Sequence, residues 1–295
     1  MALILSLPSF YSDEKFETYT LRSIDTDAPA PSDISFRGLK CLQRGTRSRS
    51  HIDVYRGYLT LSADKEPLDV VCKIGFGKIA EILVSEEASL YNGKLRHLQG
   101  KYIPVCHGYF VGDTSEGPAG CLLLAYCGEP VKDMLTRVQP AFKTALVHAL
   151  VAIHDAGVEH RDLCRRNILD CHGRPMIIDF EDSIEHACER QKPIEIGAPA
   201  PSFVSEIGCV ELFQFFIDID VWTPAYIEYI GDFQPIKLAF DAHALAKTAP
   251  SHWSPEEALQ EAYRVIIQHV RKYYPEQYED WKAGLSQLLM CLFGI

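Results

Sequence analysis

The chain has 295 residues, of which 47% are hydrophobic, 23% charged and 11% aromatic, a composition that excludes disorder, collagen-like repeats and coiled coil. At this length roughly 75% of the unfolded chain's surface can be buried, so a core needs no disulfide support. A formal net charge of −11 repels nucleic acid and anionic membrane surfaces, and neither is expected as a partner.

The ten cysteines are scattered without a Cys-x-x-Cys pair, which points to reduced thiols and an intracellular setting. The N-terminal run Met1-Ala-Leu-Ile-Leu-Ser-Leu is apolar but has no basic region, and Pro8 and Asp13 follow closely, so no signal peptide is expected. No stretch approaches the ~18 apolar residues of a membrane span. Residues 1–35 end in the Pro- and Asp-rich piece Asp25 to Asp33 and are taken as a loosely packed lead-in. Short runs rich in Val, Ile and Tyr predict strands at Ser35 to Leu42, Ile52 to Ser62 and Leu68 to Ile74, an antiparallel meander. Helical spacing follows at Ile79 to Leu98, then strand signals at Ile103 to Val111 and Cys121 to Tyr126. After Gly128 helices are predicted at Val131 to Val138, Ala141 to Ala156, Glu256 to Tyr274 and Trp281 to Phe293.

The chemistry concentrates between Val158 and Asp182. His160-Arg-Asp-Leu-x-x-x-Asn167 is followed by two short apolar runs around a Gly-containing turn and then by Ile177-Ile-Asp179-Phe180. This stretch resembles the catalytic loop and metal-binding segment of the protein kinase-like family, whose second motif reads Asp-Phe-Gly. The resemblance covers about residues 36 to 230. It implies that Asp162 accepts or orients the proton of an acceptor hydroxyl, that Asn167 and Asp179 hold Mg²⁺ on the phosphates of ATP, and that hard oxygen ligands suit that ion. The chemically bland reading is a buried loop in which Asp162 and Asn167 cap backbone groups.

The same resemblance requires a lysine ending an upstream strand and a glutamate on the next helix. Val70-Val-Cys-Lys73 matches the family's Val-Ala-Ile-Lys strand, with Lys73 reaching phosphate oxygens. Among Glu81, Glu86 and Glu87, helical periodicity favours Glu87, which shares a face with Tyr91 and Leu95, with Glu86 as the alternative. The piece Glu87-Ala-x-x-Tyr with Leu98-Gln-Gly-Lys-Tyr-Ile-Pro resembles fungal kinase-like proteins. The segment after Cys121 to Ala125 would serve as a hinge, with backbone groups of Ala125, Tyr126 and Cys127 on adenine.

Three departures stand out. The glycine-rich loop keeps only Gly45 as a nucleotide contact, with Arg44, Arg47 and Arg49 as cations that would reach phosphates or face solvent. Glu181 replaces the family glycine, and could bind Mg²⁺, stiffen the segment or face solvent. Ile184 to Pro201 carries no Ser, Thr or Tyr, so hydroxyl phosphorylation cannot act there, and Arg161 needs a partner other than a phosphate in that segment. Gly75-Phe-Gly77-Lys78 lacks the phosphate-loop pattern and is read as a turn into the helix. Neither His-Glu-x-x-His nor Gly-x-Ser-x-Gly occurs, which excludes the common zinc and serine hydrolases.

The resemblance implies an α+β, two-lobed kinase-like fold: a small antiparallel sheet lobe with one helix (36–127), a larger helical lobe (128–295), and the lead-in before them. The expected activity is ATP- and Mg²⁺-dependent phosphoryl transfer to a hydroxyl of a protein or small molecule. The alternatives are a pseudokinase scaffold and a kinase fold diverted to other nucleotide chemistry.

Overall fold

The protein is represented by a computed structural model that describes residues 1–9, 12–24, 34–45, 51–62, 65–275 and 278. Seven strands form a closed barrel in the order β1-β2-β6-β7-β5-β4-β3: β1 (Ala2–Ser9), β2 (Ser12–Ser23), β3 (Ile34–Gln43), β4 (His51–Thr60), β5 (Leu68–Phe76), β6 (Cys106–Thr114) and β7 (Gly117–Ala125). Helix α1 (Lys78–Asn92) packs against β5, β6 and β7. The alternation of the strands builds the barrel interior. Leu3, Leu5 and Leu7 of β1 point inward with Phe36, Leu59, Val70, Cys72, Ile74, Phe110 and Leu123, while every second residue faces out.

This architecture corrects the two-lobed expectation. The sheet is closed and mixed, and the described chain has only five α-helices. The cause lies in residues 2–23, taken above as lead-in. Their alternating leucines make β1 and β2, and β1 pairs antiparallel with β2 and parallel with β3, at Leu3↔Ile34 and Leu5↔Phe36. Strand β2 then meets β6 through Arg22↔Val111. An open meander with two edges thereby becomes a barrel with none, and its unpaired backbone groups are satisfied.

Beyond the barrel, β8 (Glu129–Pro130), α2 (Pro140–Asp155), β9 (Val158–Glu159), β10 (Ile168–Cys171), β11 (Arg174–Ile177) and β12 (Ile184–Glu185) follow in order. The order β11-β10-β8 forms a small sheet, and β9 pairs with β12. Residues Val131 to Val138, expected as a helix, contain only a 3-10 turn at Leu135–Arg137. Gly128 has φ 102°, and a Cβ there would lie 2.2 Å from the Asp170 carbonyl oxygen, so glycine is required for β8 to approach β10.

Two compact units divide the chain, Met1–Glu189 and Arg190–Ile295. The second contains α3 (Val210–Asp218), the hairpin β13 (Tyr226–Tyr229) and β14 (Asp232–Pro235), α4 (Ala242–Ala246) and α5 (Pro255–Tyr273). Its core gathers Ile227, Tyr229, Leu245, Ala262, Ile266 and Val270, and Tyr229 donates to the Ala258 carbonyl at 2.7 Å. Ser254 and Glu257 close a capping box on α5. The helix expected at Trp281 to Phe293 lies outside the described residues, as do Asp25 to Asp33, Arg47 and Arg49. No helix among the described residues is long and apolar enough to cross a membrane.

Closure of the barrel by β1 makes a specific stability prediction. Leu5 is fully buried, whereas Ile4 on the opposite face is 38% exposed. Leu5→Ala should cost about 2–5 kcal/mol in urea unfolding, and Ile4→Ala about 0.5 kcal/mol or less. Equal small effects would mean that β1 does not belong to the core.

Candidate functional site

The site is assembled from the middle of β5, one face of α1, and the loops on either side of the β10–β11 hairpin. In β5 the residues facing the barrel interior are Val70, Cys72, Ile74 and Phe76, so the period of two turns Lys73 onto the outer face, beneath α1. Gly75, two residues on, has no room for a side chain. A Cβ there would lie 2.6 Å from the Ala80 carbonyl oxygen, and this close approach brings α1 down over Lys73. The turn into α1 runs through Gly77, at φ 85°, whose N–H donates to Pro118 O at 2.8 Å.

Lys73 is 7% exposed and Glu87 1% exposed. The ammonium donates to Glu87 Oε2 at 2.7 Å and to Asp179 Oδ1 at 2.7 Å, and Glu181 Oε2 lies 3.0 Å away. The other Glu87 oxygen accepts the N–H of Phe180 at 3.2 Å. Of the candidate glutamates, Glu87 is therefore the partner. Glu181 adds a third carboxylate to the lysine, neither pointing away to solvent nor standing apart from the site. Burial opposes the charge on Lys73, but Glu87, then Asp179, then Glu181 reverse that effect and hold its pKa above the usual lysine range. Burial would raise the Asp179 carboxyl, yet Lys73, through its charge and its hydrogen bond, holds it below its ordinary value.

The hairpin register brings the His160–Asn167 loop and the Asp179 side together. Ile168 pairs with Ile177 and Cys171 with Arg174, and the Ile178 N–H donates to Asn167 O at 3.0 Å. Asn167 Nδ2 donates to Asp162 Oδ2 at 2.9 Å and to Asp162 O at 3.0 Å. With the amide nitrogen so engaged, the amide oxygen of Asn167 is the side chain's remaining polar atom, a hard donor of the kind that could hold a cation. Arg166 Nη2 donates to Asp162 Oδ2 at 2.7 Å, a contact that the sequence motif does not reveal.

His160 organises the loop from beneath. It is fully buried, its Nε2 lies 2.9 Å from Ile178 O, and its Nδ1 accepts the Asp162 N–H at 3.3 Å. With Nδ1 accepting, Nε2 is the ring nitrogen placed to donate to Ile178 O. Phe180 packs between His160 and Tyr91, at centroid distances of 4.9 and 5.6 Å. Asp179 and Arg161 adopt φ of 68° and 66°. Left-handed backbone at non-glycine residues is strain of the kind that concentrates at functional sites.

The expected hinge and loop residues are already engaged within the chain. The Ala125 N–H donates to Val105 O at 2.8 Å and the Tyr126 N–H to Asp69 O at 3.1 Å. Tyr126 is held further by its hydroxyl on Glu129 at 2.7 Å and by the Arg56 guanidinium 3.5 Å from its ring centroid. Cys127 packs with Leu169 and Met176, flanked by Ala125 and Ile178; burial pushes its thiol up to about 11. The Gly45 N–H donates at 2.9 Å to Asp53, a buried carboxylate that also accepts from the Tyr55 hydroxyl.

No family model matches this chain, and no curated protein matches it.

Lys73→Met strands the buried Glu87 carboxylate without its cation, whereas Glu87→Ala leaves the ammonium with Asp179 and Glu181. Lys73→Met should therefore destabilise by about 3–5 kcal/mol and Glu87→Ala by less, with the double variant costing clearly less than the sum. Additive losses would mean that the pair is not coupled. Asp179 contributes stability above its unfolded pKa of about 4 and loses it as pH falls through its depressed folded value. Between pH 5 and 2, wild type should therefore lose stability more steeply than Asp179→Asn in parallel denaturant titrations. Identical slopes would remove the Lys73–Asp179 contact from the acid response.

Proposed function

We propose that the chain is a phosphotransferase that moves the terminal phosphoryl group of ATP, with Mg²⁺, to a hydroxyl of a protein or a small molecule. The observation that carries this reading is the convergence of Lys73 Nζ on Glu87 and Asp179, each at 2.7 Å, beside a linked Asp162–Asn167 pair. The reading rests on these side chains and their distances, independently of any fold.

Each residue has a role that its surroundings support. Glu87 holds the Lys73 ammonium in place, and Lys73 offers its charge to phosphate oxygens. Asp162, oriented by Asn167 and Arg166, accepts or directs the proton of the attacking hydroxyl. The donor set fits Mg²⁺, since the Asp179 carboxylate and the Asn167 amide oxygen are hard ligands; the ion, when bound, neutralises phosphate charge. Cys127, Leu169 and Met176 supply an apolar patch suited to a purine ring. With the Ala125 and Tyr126 amides engaged, hydrogen bonding to the base falls to the Cys127 amide and the carbonyls of this segment. Gly45 contributes backbone shape, because its amide is spent on Asp53.

One observation favours a second reading, a nucleotide-binding module that does not turn over. Glu181 lies 3.0 Å from Lys73 and so competes with a phosphate oxygen for the ammonium. Product analysis with labelled ATP separates transfer, nucleotidyl chemistry and binding alone.

Two outcomes are expected. Calorimetry should show ATP binding strengthened by Mg²⁺ in wild type and no such gain in Asp179→Ala; equal affinities with and without the ion in both proteins would refute a metal-assisted site. Asp162→Asn should keep ATP affinity within a few-fold of wild type while lowering turnover by about 10² or more. Unchanged turnover would remove Asp162 from the chemistry.

A further inference from the structure

A second cluster of ligand-bearing side chains lies at the far end of the segment that carries Asp179. His154 sits in the last turn of α2 and is 1% exposed. The chain then turns through Gly157, at φ 82°, into β9, and β12 returns antiparallel with Ile184↔Glu159 and Glu185↔Val158. The His186 N–H donates to Gly157 O at 3.0 Å, which fixes His186 against the end of α2. Its ring stands 5.5 Å from that of His154, edge to face. Cys188 follows two residues on, and His154, His186 and Cys188 each place a ligand atom within 4.8 Å of the others.

We propose that His154, His186 and Cys188 bind a zinc ion. The donor chemistry favours that ion: two imidazoles and a thiolate are borderline-to-soft ligands, unlike the oxygen set at Asp179 and Asn167. The spacing is close to what zinc needs. Metal–ligand bonds of about 2.0–2.3 Å put tetrahedral ligands roughly 3.5 Å apart, so a contraction of about 1 Å completes the shell. The fourth position takes water or a further donor.

An independent observation singles out His186. Its Nε2 is buried with no hydrogen-bond partner, while Nδ1 faces Glu159 Oε2 at 3.7 Å. A buried donor or acceptor left without a partner carries a desolvation penalty, and a metal at Nε2 removes it. The carboxylate behind the other nitrogen is the partner that ligating histidines use to fix tautomer and orientation. Glu159 lies in β9 and His186 directly follows β12, so ligand and supporting carboxylate are placed by one strand pairing. The ion would tie the end of α2 to the segment that follows β12, and β9 leads directly into His160, so its effect is to secure the frame of the His160–Asn167 loop. The proposal does not depend on the phosphotransferase reading.

The test uses the full chain under a thiol-free reductant, stripped of metal by a chelator. Zinc added in competition with a chromophoric chelator should bind at one ion per chain and raise the unfolding temperature. Cobalt(II) in its place should give the near-ultraviolet absorption of a thiolate–metal bond. His186→Asn and Cys188→Ser should lower zinc affinity by more than about 100-fold, and Glu159→Gln, which keeps the ligands, by about 10-fold. Variants that bind as tightly as wild type would overturn the assignment. If those variants fail to fold, the wild-type titration still decides: no stoichiometric zinc and no cobalt–thiolate absorption would refute the site.

Discussion

The buried ammonium of Lys73 is the constraint on which the site depends. A charge at this depth persists only if opposite charges meet it at hydrogen-bond distance, and those charges come from separate parts of the chain. Glu87 requires α1 to lie flat on β5, which the side-chain-free surface of Gly75 permits. Asp179 requires the β10–β11 hairpin in its observed register. Glu87 also holds the Phe180 N–H, so helix, strand and hairpin are locked by one network with the lysine at its centre. Moving β5 or α1 breaks the buried Lys73–Glu87 pair and leaves a charge stranded away from water.

The barrel is what makes this network possible. Its closed interior anchors one face of β5 through Val70, Cys72, Ile74 and Phe76, so a register slip of one residue would drive Lys73 into the apolar interior. The cost of burying an ammonium there selects the observed register as strongly as the hydrophobic pattern does. A strand with one face in a packed barrel and the other under a helix is a rigid mount, and a site that positions reacting groups requires rigidity of that kind.

How much of this could be read from the sequence follows from how local each feature is. Asp162, Asn167 and Asp179 fall within a short stretch whose hairpin joins them, so their proximity was legible. Lys73 and Glu87 were legible because strand and helix periodicities each fix a face. Closure of the barrel was not, since Leu3, Leu5 and Leu7 give a short alternating run whose partners, β3 and β2 with β6 beyond, are distant and unmarked. A loop and hairpin motif fixes its own geometry and leaves the number of strands and helices around it free, which is why the resemblance led to the wrong architecture. Glu181 was visible, but its direction depended on the backbone at Asp179, whose left-handed φ no local pattern announces. The His154, His186 and Cys188 cluster escaped a search by spacing because the β9–β12 pairing assembles it; His186-Ala-Cys188, two ligand types at alternate positions, was its one local trace.

Charge accounting at Lys73 leads one step further. A single ammonium faces three carboxylates, and Arg166 is paired to Asp162. The centre of the site is therefore net negative. Phosphates brought to Lys73 on their own would enter a field that repels them and would have to displace Asp179 and Glu181 from the lysine. Polyvalent cation charge removes both obstacles at once, because carboxylates drawn to the ion release the ammonium for phosphate. On the phosphotransferase reading, dependence on a divalent ion follows from this electrostatic balance, and Glu181 makes that dependence stronger than a glycine at the same position would.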